Sequence, residues 1–170
     1  MELKKKMENN NLFEIVTGTV EKKVSISGKD LNLDKERDII YLRDLDEGEA
    51  YKGNPIVSIF KNNDKTYNNV SIRLINGDEE LRLSVNYPKK DCPLVKNLNK
   101  DFGFYMNAFN LVRDIAILNG VEGVDNNTKL FKEVNFKEIL EYIDGLESMV
   151  IIPYYPDDSG YFSFRVISAL

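Results

Sequence analysis

Between Val70 and Tyr87, two runs of alternating apolar residues flank the dipeptide Asn76-Gly77. A two-residue loop that matches strand twist needs positive φ, which Asn and Gly adopt at low cost, so this stretch is committed to a β-hairpin. Counting outward from an Asn76-Gly77 loop puts Arg73 opposite Glu80, Ile72 opposite Leu81, Ser71 opposite Arg82 and Val70 opposite Leu83. Apolar side chains meet apolar ones and opposite charges face each other, a self-consistent register. Val70, Ile72, Leu81, Leu83 and Val85 then enter a core, with Tyr87 in the same phase. Ser71, Arg73, Arg82, Ser84 and Asn86 form the outward face.

The rest of the chain builds around this hairpin. Residues 1–11 are charged and Asn-rich without hydrophobic period, and read as a mobile arm. Residues 12–26 alternate with β-branched residues, Gly18 marking a bulge or bend. Ile39 to Leu42 and Ile56 to Lys61 read as strands, the second with Val57 and Ile59 inward and Phe60 outward. Residues 102–119 read as a buried helix, capped by Asp101 and stopped by Gly120, with Asn107, Asn110 and Asp114 as a narrow polar stripe. A second helix, near 136–144, starts at the capping-box variant Asn135-Phe-Lys-Glu138 and ends before Gly145. A closing hairpin flanks the loop 156–160; pairing Tyr155 with Tyr161 sets Val150, Ile152, Tyr154, Phe162, Phe164 and Val166 inward. Ile151, Pro153, Tyr155, Tyr161, Ser163 and Arg165 face out. No internal repeat or linker divides residues 12–170, which read as one β-rich domain with two helices.

Composition narrows the chemistry. There is no histidine, which removes His-dependent triads, His-ligated zinc and an imidazole switch. Cys92 is the sole cysteine, so no intrachain disulfide forms. Cys92 lacks an identifiable base or resolving thiol, although Lys89 and Lys90 are near it. The acidic turn at residues 44–49 fails the calcium-loop pattern, since Gly48 stands where an oxygen ligand belongs. Glu21-Lys-Lys23 lacks the acidic partner that metal-dependent nucleases add, and no Gly-rich phosphate loop occurs. A non-enzymatic protein without cofactor or metal is the expectation. With no long apolar run and no secretory leader in the opening residues, it is expected in the cytoplasm, away from membranes.

Charge is unevenly spread. Residues 1–50 carry net −3, residues 51–100 net +4 and residues 101–170 net −6, summing to −5. A polyanion is therefore expected on the middle third. Lys52, Lys61, Lys65, Arg73, Arg82, Lys89 and Lys90 supply the cations, with Phe60 and Tyr67 interleaved. Tyr155, Tyr161 and Arg165 form a second outward cluster. Planar rings beside cations on a sheet are what single-stranded nucleic acid needs, because every base has a face that stacks.

Tyr51-Lys-Gly-Asn-Pro55, Val85-Asn-Tyr-Pro-Lys89, the helix Ala108 to Ile115, and Leu140 to Leu146 leading into the last hairpin follow in order. That layout resembles the phage-encoded single-stranded DNA-binding proteins with an OB-like barrel. The chain departs from many of them in ending Phe164-Arg-Val-Ile-Ser-Ala-Leu170 rather than in acidic residues. The resemblance implies a coat for single strands in replication or recombination, inside a bacterial host cell. The expected fold is α+β, mainly antiparallel β, an OB-like barrel or strongly bent sheet decorated by two helices. The competing expectation is a small inhibitor or adaptor of anti-defence type, binding a host protein complex through the acidic last third. Both leave the oligomeric state open.

Overall fold

The computed structural model describes residues 24–25, 35–60, 66–88, 94–95, 102–154 and 163–170. The expected arm at 1–11, most of the first strand with Gly18, Cys92, the Asp101 cap and the 156–160 loop lie outside the described residues. In chain order the elements are β1 (Val24–Ser25), β2 (Asp38–Tyr41), a 3-10 turn (Leu42–Asp44), β3 (Tyr51–Phe60), β4 (Tyr67–Asn76) and β5 (Glu79–Pro88). They continue with β6 (Leu94–Val95), α1 (Phe102–Leu118), β7 (Leu130–Phe131), α2 (Phe136–Asp144), β8 (Met149–Tyr154) and β9 (Ser163–Ala169). The main sheet runs β9–β8–β3–β4–β5–β2, with β1 also on β3. Its pairings are antiparallel except β2 on β5. The α+β, mainly antiparallel class expected from the sequence holds.

The sheet is strongly curled, and α1 shows why it must be. That helix packs on both β9 and β5, which stand four positions apart in the sheet. A flat sheet would separate those strands by roughly 19 Å at about 4.8 Å per step, more than a helix about 10 Å wide can bridge. The sheet therefore bends into a half-barrel around α1 and α2. Val57, Ile72, Leu83, Ile151 and Phe164 meet Phe109, Leu111, Val112, Leu140 and Ile143 in one core. Tyr87 belongs to it, its ring stacked on Phe136 at 4.5 Å between centroids. Both helix ends follow their local chemistry. Asn135 Oδ1 accepts from Glu138 N, and Gly120 (φ 69°) closes α1 with Val121 N donating to the Ala116 carbonyl.

The central hairpin keeps its expected faces but not its expected loop. Asn76 pairs with Glu79, so Gly77-Asp78 forms the turn and Gly77 takes φ 59°. Leu74 then faces Leu81, Ile72 faces Leu83, and Arg73 faces Arg82 instead of Glu80. A slip of two residues preserves alternation, so alternation cannot detect it. The incoming strand holds this turn: Asp38 N donates to the Asp78 carbonyl, Arg37 Nε to the Gly77 carbonyl and Lys35 Nζ to Asp78.

The closing hairpin differs by one residue, which inverts a face. Ser163 pairs with Tyr154 and Phe164 with Pro153, and a bulge at Ile167 shifts the register again. Met149, Ile151 and Pro153 are buried, whereas Val150, Ile152 and Tyr154 are half-buried. The expected core side of β8 is therefore wrong, while Phe164 and Val166 are buried as expected. β8 is apolar at both phases, and a strand of that kind carries no periodic signal for which side faces the core.

One edge of β3 is completed from a helix. Among the described residues, β8 covers Tyr51–Gly53 and β1 covers Ser58 and Ile59, leaving a gap between them. Gly53 is required at the start of the gap, because a Cβ there would lie 2.7 Å from the Leu74 carbonyl carbon. Pro55 has no N–H to leave unpaired, and Val57 N donates to the buried Asp144 Oδ1 at 2.8 Å. Asp144→Ala leaves that buried N–H without its acceptor, and we expect a loss of about 2 kcal/mol in urea unfolding. Asp144→Asn keeps an acceptor and should lose less. Equal stability of all three proteins would refute this role.

Candidate functional site

The expected nucleic-acid residues separate into three groups. Lys61, Lys65, Lys89, Lys90, Tyr155 and Tyr161 lie outside the described residues. Lys52 is exposed, beside Asn54 and Glu147 at one end of the sheet, and Phe60 and Tyr67 are half-buried. The three arginines are engaged inside the protein. Arg73, expected on an outward face, is 5% exposed and forks onto Glu80 with two contacts of 2.8 Å. Arg82 donates to the same carboxylate at 2.8 Å, though its side chain remains 38% exposed. Burial acts to raise the pKa of Glu80, but hydrogen bonds and charge from Arg73 and Arg82 prevail and hold it at about 2. A carboxylate between two guanidinium groups also removes the repulsion of Arg73 facing Arg82.

Arg165 forks onto Asp114 with contacts of 2.7 to 3.0 Å, and donates to Asn126. Asp114 also accepts from Val166 N at 2.8 Å. The polar stripe of α1 thus faces β9 rather than solvent. Higher on the same stripe, Asn110 Nδ2 donates to Ser163 Oγ at 3.1 Å, and the Ser163 hydroxyl donates to Asn107 Oδ1. Asn107 Nδ2 turns the other way and donates to the Ser84 carbonyl at 2.9 Å. One amide therefore joins β9 to β5 and closes the mouth of the half-barrel.

Beside this closure the sheet opens a cleft. β2 covers β5 from Glu79 to Arg82, where Tyr41 sits opposite Arg82. The 3-10 turn then leads the chain away, fixed by Asp44 Oδ2 accepting from Tyr41 N at 2.9 Å. Beyond Arg82, among the described residues, lies the cleft, about 190 Å³ in volume, lined by Tyr41, Arg43, Arg82, Ser84, Asn107 and Phe164. Tyr41 is 40% exposed, and its ring carries the Arg43 guanidinium 4.8 Å from its centroid.

Of the cleft's polar lining, only Arg82 is among the cations expected from the sequence; Tyr41, Arg43 and Asn107 are not. Tyr41 carries only a strand signal, and the acidic residues at 44–49 mask the local cation Arg43. Asn107 shows in the sequence only as a polar position on α1, with no sign of the closure it makes. The cleft can hold a flat group against Tyr41 and an anion between Arg43 and Arg82. Its volume is below the roughly 300 Å³ of pockets that enclose a whole small molecule. It suits one unit of a longer ligand. Among the described residues, no cluster of three or more His, Cys, Asp or Glu is placed to hold a metal ion. Among them, too, no helix is long and apolar enough to cross a membrane. Comparison with protein-family models, with curated proteins and with solved structures found no match.

Proposed function

We propose that this protein is a non-enzymatic single-stranded nucleic-acid-binding protein, with DNA as the favoured strand, and that the cleft beside Asn107 is where the strand is held. The observation that carries this reading is the exposed Tyr41 ring, topped by Arg43 and sharing its cleft with Arg82. A base stacks on the ring and adjacent phosphates meet the two guanidinium groups. Arg73 and Arg165 act inward in this reading, as supports of the sheet and of α1. With two arginines at the strand, the salt dependence is moderate. A single strand releases about 0.7 counterion per neutralised phosphate, so log K against log salt should slope at roughly −1.4.

Fluorescence titration with a labelled oligo-dT measures this directly. Tyr41→Ala should weaken binding by about tenfold or more, in line with roughly 1–3 kcal/mol per stacked base. Arg43→Ala should also reduce the salt slope by about 0.7. No signal at micromolar protein in 50 mM salt, or an unchanged affinity for Tyr41→Ala, overturns the proposal.

A further inference from the structure

A second surface lies further along α1. Asn107 sits in the first turns of that helix, and Ile115 eight residues on, roughly 12 Å along its axis. There Val112, Ile115 and Ala116 line one wall of a groove of about 420 Å³. Val121 and Val124 from the turn after α1, Phe131 from β7, Val134, and Ile139 from α2 supply the rest of the apolar lining. Among the described residues, the charged ones lining it are Glu133 and Glu138, both exposed, and no cation lines it. Lys132 and Lys137 neighbour these glutamates in sequence but do not line the groove. Val121 is 49% exposed, and Leu118 and Leu130, on elements beside the groove, are also exposed.

An apolar floor with an acidic rim selects its occupant by charge. A nucleic acid or an anionic lipid surface would be repelled by Glu133 and Glu138, and a second copy would bring the same rim against itself. An amphipathic segment with a basic border meets neither obstacle. We propose that this groove docks a segment of a partner protein, one that presents an apolar anchor flanked by Lys or Arg. The site is separate from the cleft at Tyr41, and the two proposals stand or fall independently.

The test uses the full chain and three fluorescein-labelled 15-residue peptides sharing one helical pattern: Leu with Lys, Leu with Glu, and Ser with Lys. Anisotropy should show the Leu/Lys peptide binding at least tenfold tighter than either other peptide. Amide shifts in a ¹H–¹⁵N spectrum should centre on Val121, Val124, Asn135 and Glu138. Val121→Asp and Glu133→Lys change exposed side chains, so both should unfold at the wild-type temperature. Each should weaken the Leu/Lys peptide at least fivefold while leaving the oligo-dT titration unchanged. Equal binding of the Leu/Lys and Ser/Lys peptides, or of Leu/Lys and Leu/Glu, overturns the proposal. So do shifts centred elsewhere, insensitivity to both substitutions, or a sedimenting dimer that Val121→Asp dissolves, which would make the groove a self-association surface.

Discussion

Asp114→Ala should lower the unfolding free energy of this protein by roughly 3–5 kcal/mol. Asp114 is 2% exposed and serves the Arg165 fork and the Val166 N–H together. It is also the carboxylate nearest Arg113, 3.8 Å from Nε, and Arg113 is almost wholly buried. Arg113 Nε makes no hydrogen bond among the described residues. Burial and then the charge of Arg165 already push the Arg113 pKa down. Two guanidinium groups against one carboxylate leave a surplus positive charge, which rests on aromatic faces. Arg113 lies 5.5 Å from the Phe109 centroid and Arg165 lies 5.7 Å from that of Tyr154. Removing Asp114 makes the surplus two and strips an acceptor from a buried N–H. Asp114→Asn retains an acceptor and should lose less. For a chain of this size the alanine variant should melt roughly 10 °C lower, on about 2–4 °C per kcal/mol. A fall of under 1 kcal/mol in urea unfolding would contradict this account.

Glu80 carries the second large effect, and acid should reveal it. Its folded pKa of about 2, against an ordinary 4.5, means the unfolded chain takes up this proton first as pH falls. The stability it contributes is fully present above about pH 5 and is lost as pH drops toward 2, roughly 3 kcal/mol over that window. Asp78 is also held below the usual carboxylate range, by its hydrogen bond to Lys35, so wild type must be compared with a variant. In Glu80→Gln the acid limb of the stability curve should flatten. The same substitution at neutral pH leaves Arg73 buried without a counter-charge and should lose roughly 3–5 kcal/mol. Replacing Arg73 and Glu80 together by Met and Leu should lose less than Glu80→Gln alone, because no charge is then stranded. At the alkaline end, burial and then Glu79 and Glu80 push Tyr51 up to about 12. Stability from keeping that phenol neutral is present below about pH 10 and falls as pH rises to 12. Urea titrations at intervals from pH 2.5 to 11 measure both limbs. Parallel acid limbs for wild type and Glu80→Gln would dismiss the role given to Glu80.

Tertiary context matters most where local pattern has two solutions of equal quality. Arg73 and Arg82 read as an outward pair because they alternate with core residues, yet the half-barrel buries Arg73 beside Glu80. The diagonal contact that neutralises them depends on a turn position set by residues 35–38, a segment about forty residues earlier in the chain. Tyr41 and Arg43 become a site only because β2 is short and parallel and ends opposite Arg82, where the cleft begins. Parallel pairing carries no turn signal, since its partners are remote in sequence.

Short-range chemistry was enough for the parts held by neighbours along the chain. Alternation names the core of the central hairpin, Tyr87 included, Asn135 starts α2, and Gly120 ends α1. These depend on dihedral preference and on a periodicity that a few residues express. The face of β8, the loop register at Gly77, the inward turn of Asn107, Asp114 and Arg165, and the cleft itself came from the folded chain alone. Each is a choice between nearly equal local options, and it is made by which distant backbone or charge arrives alongside.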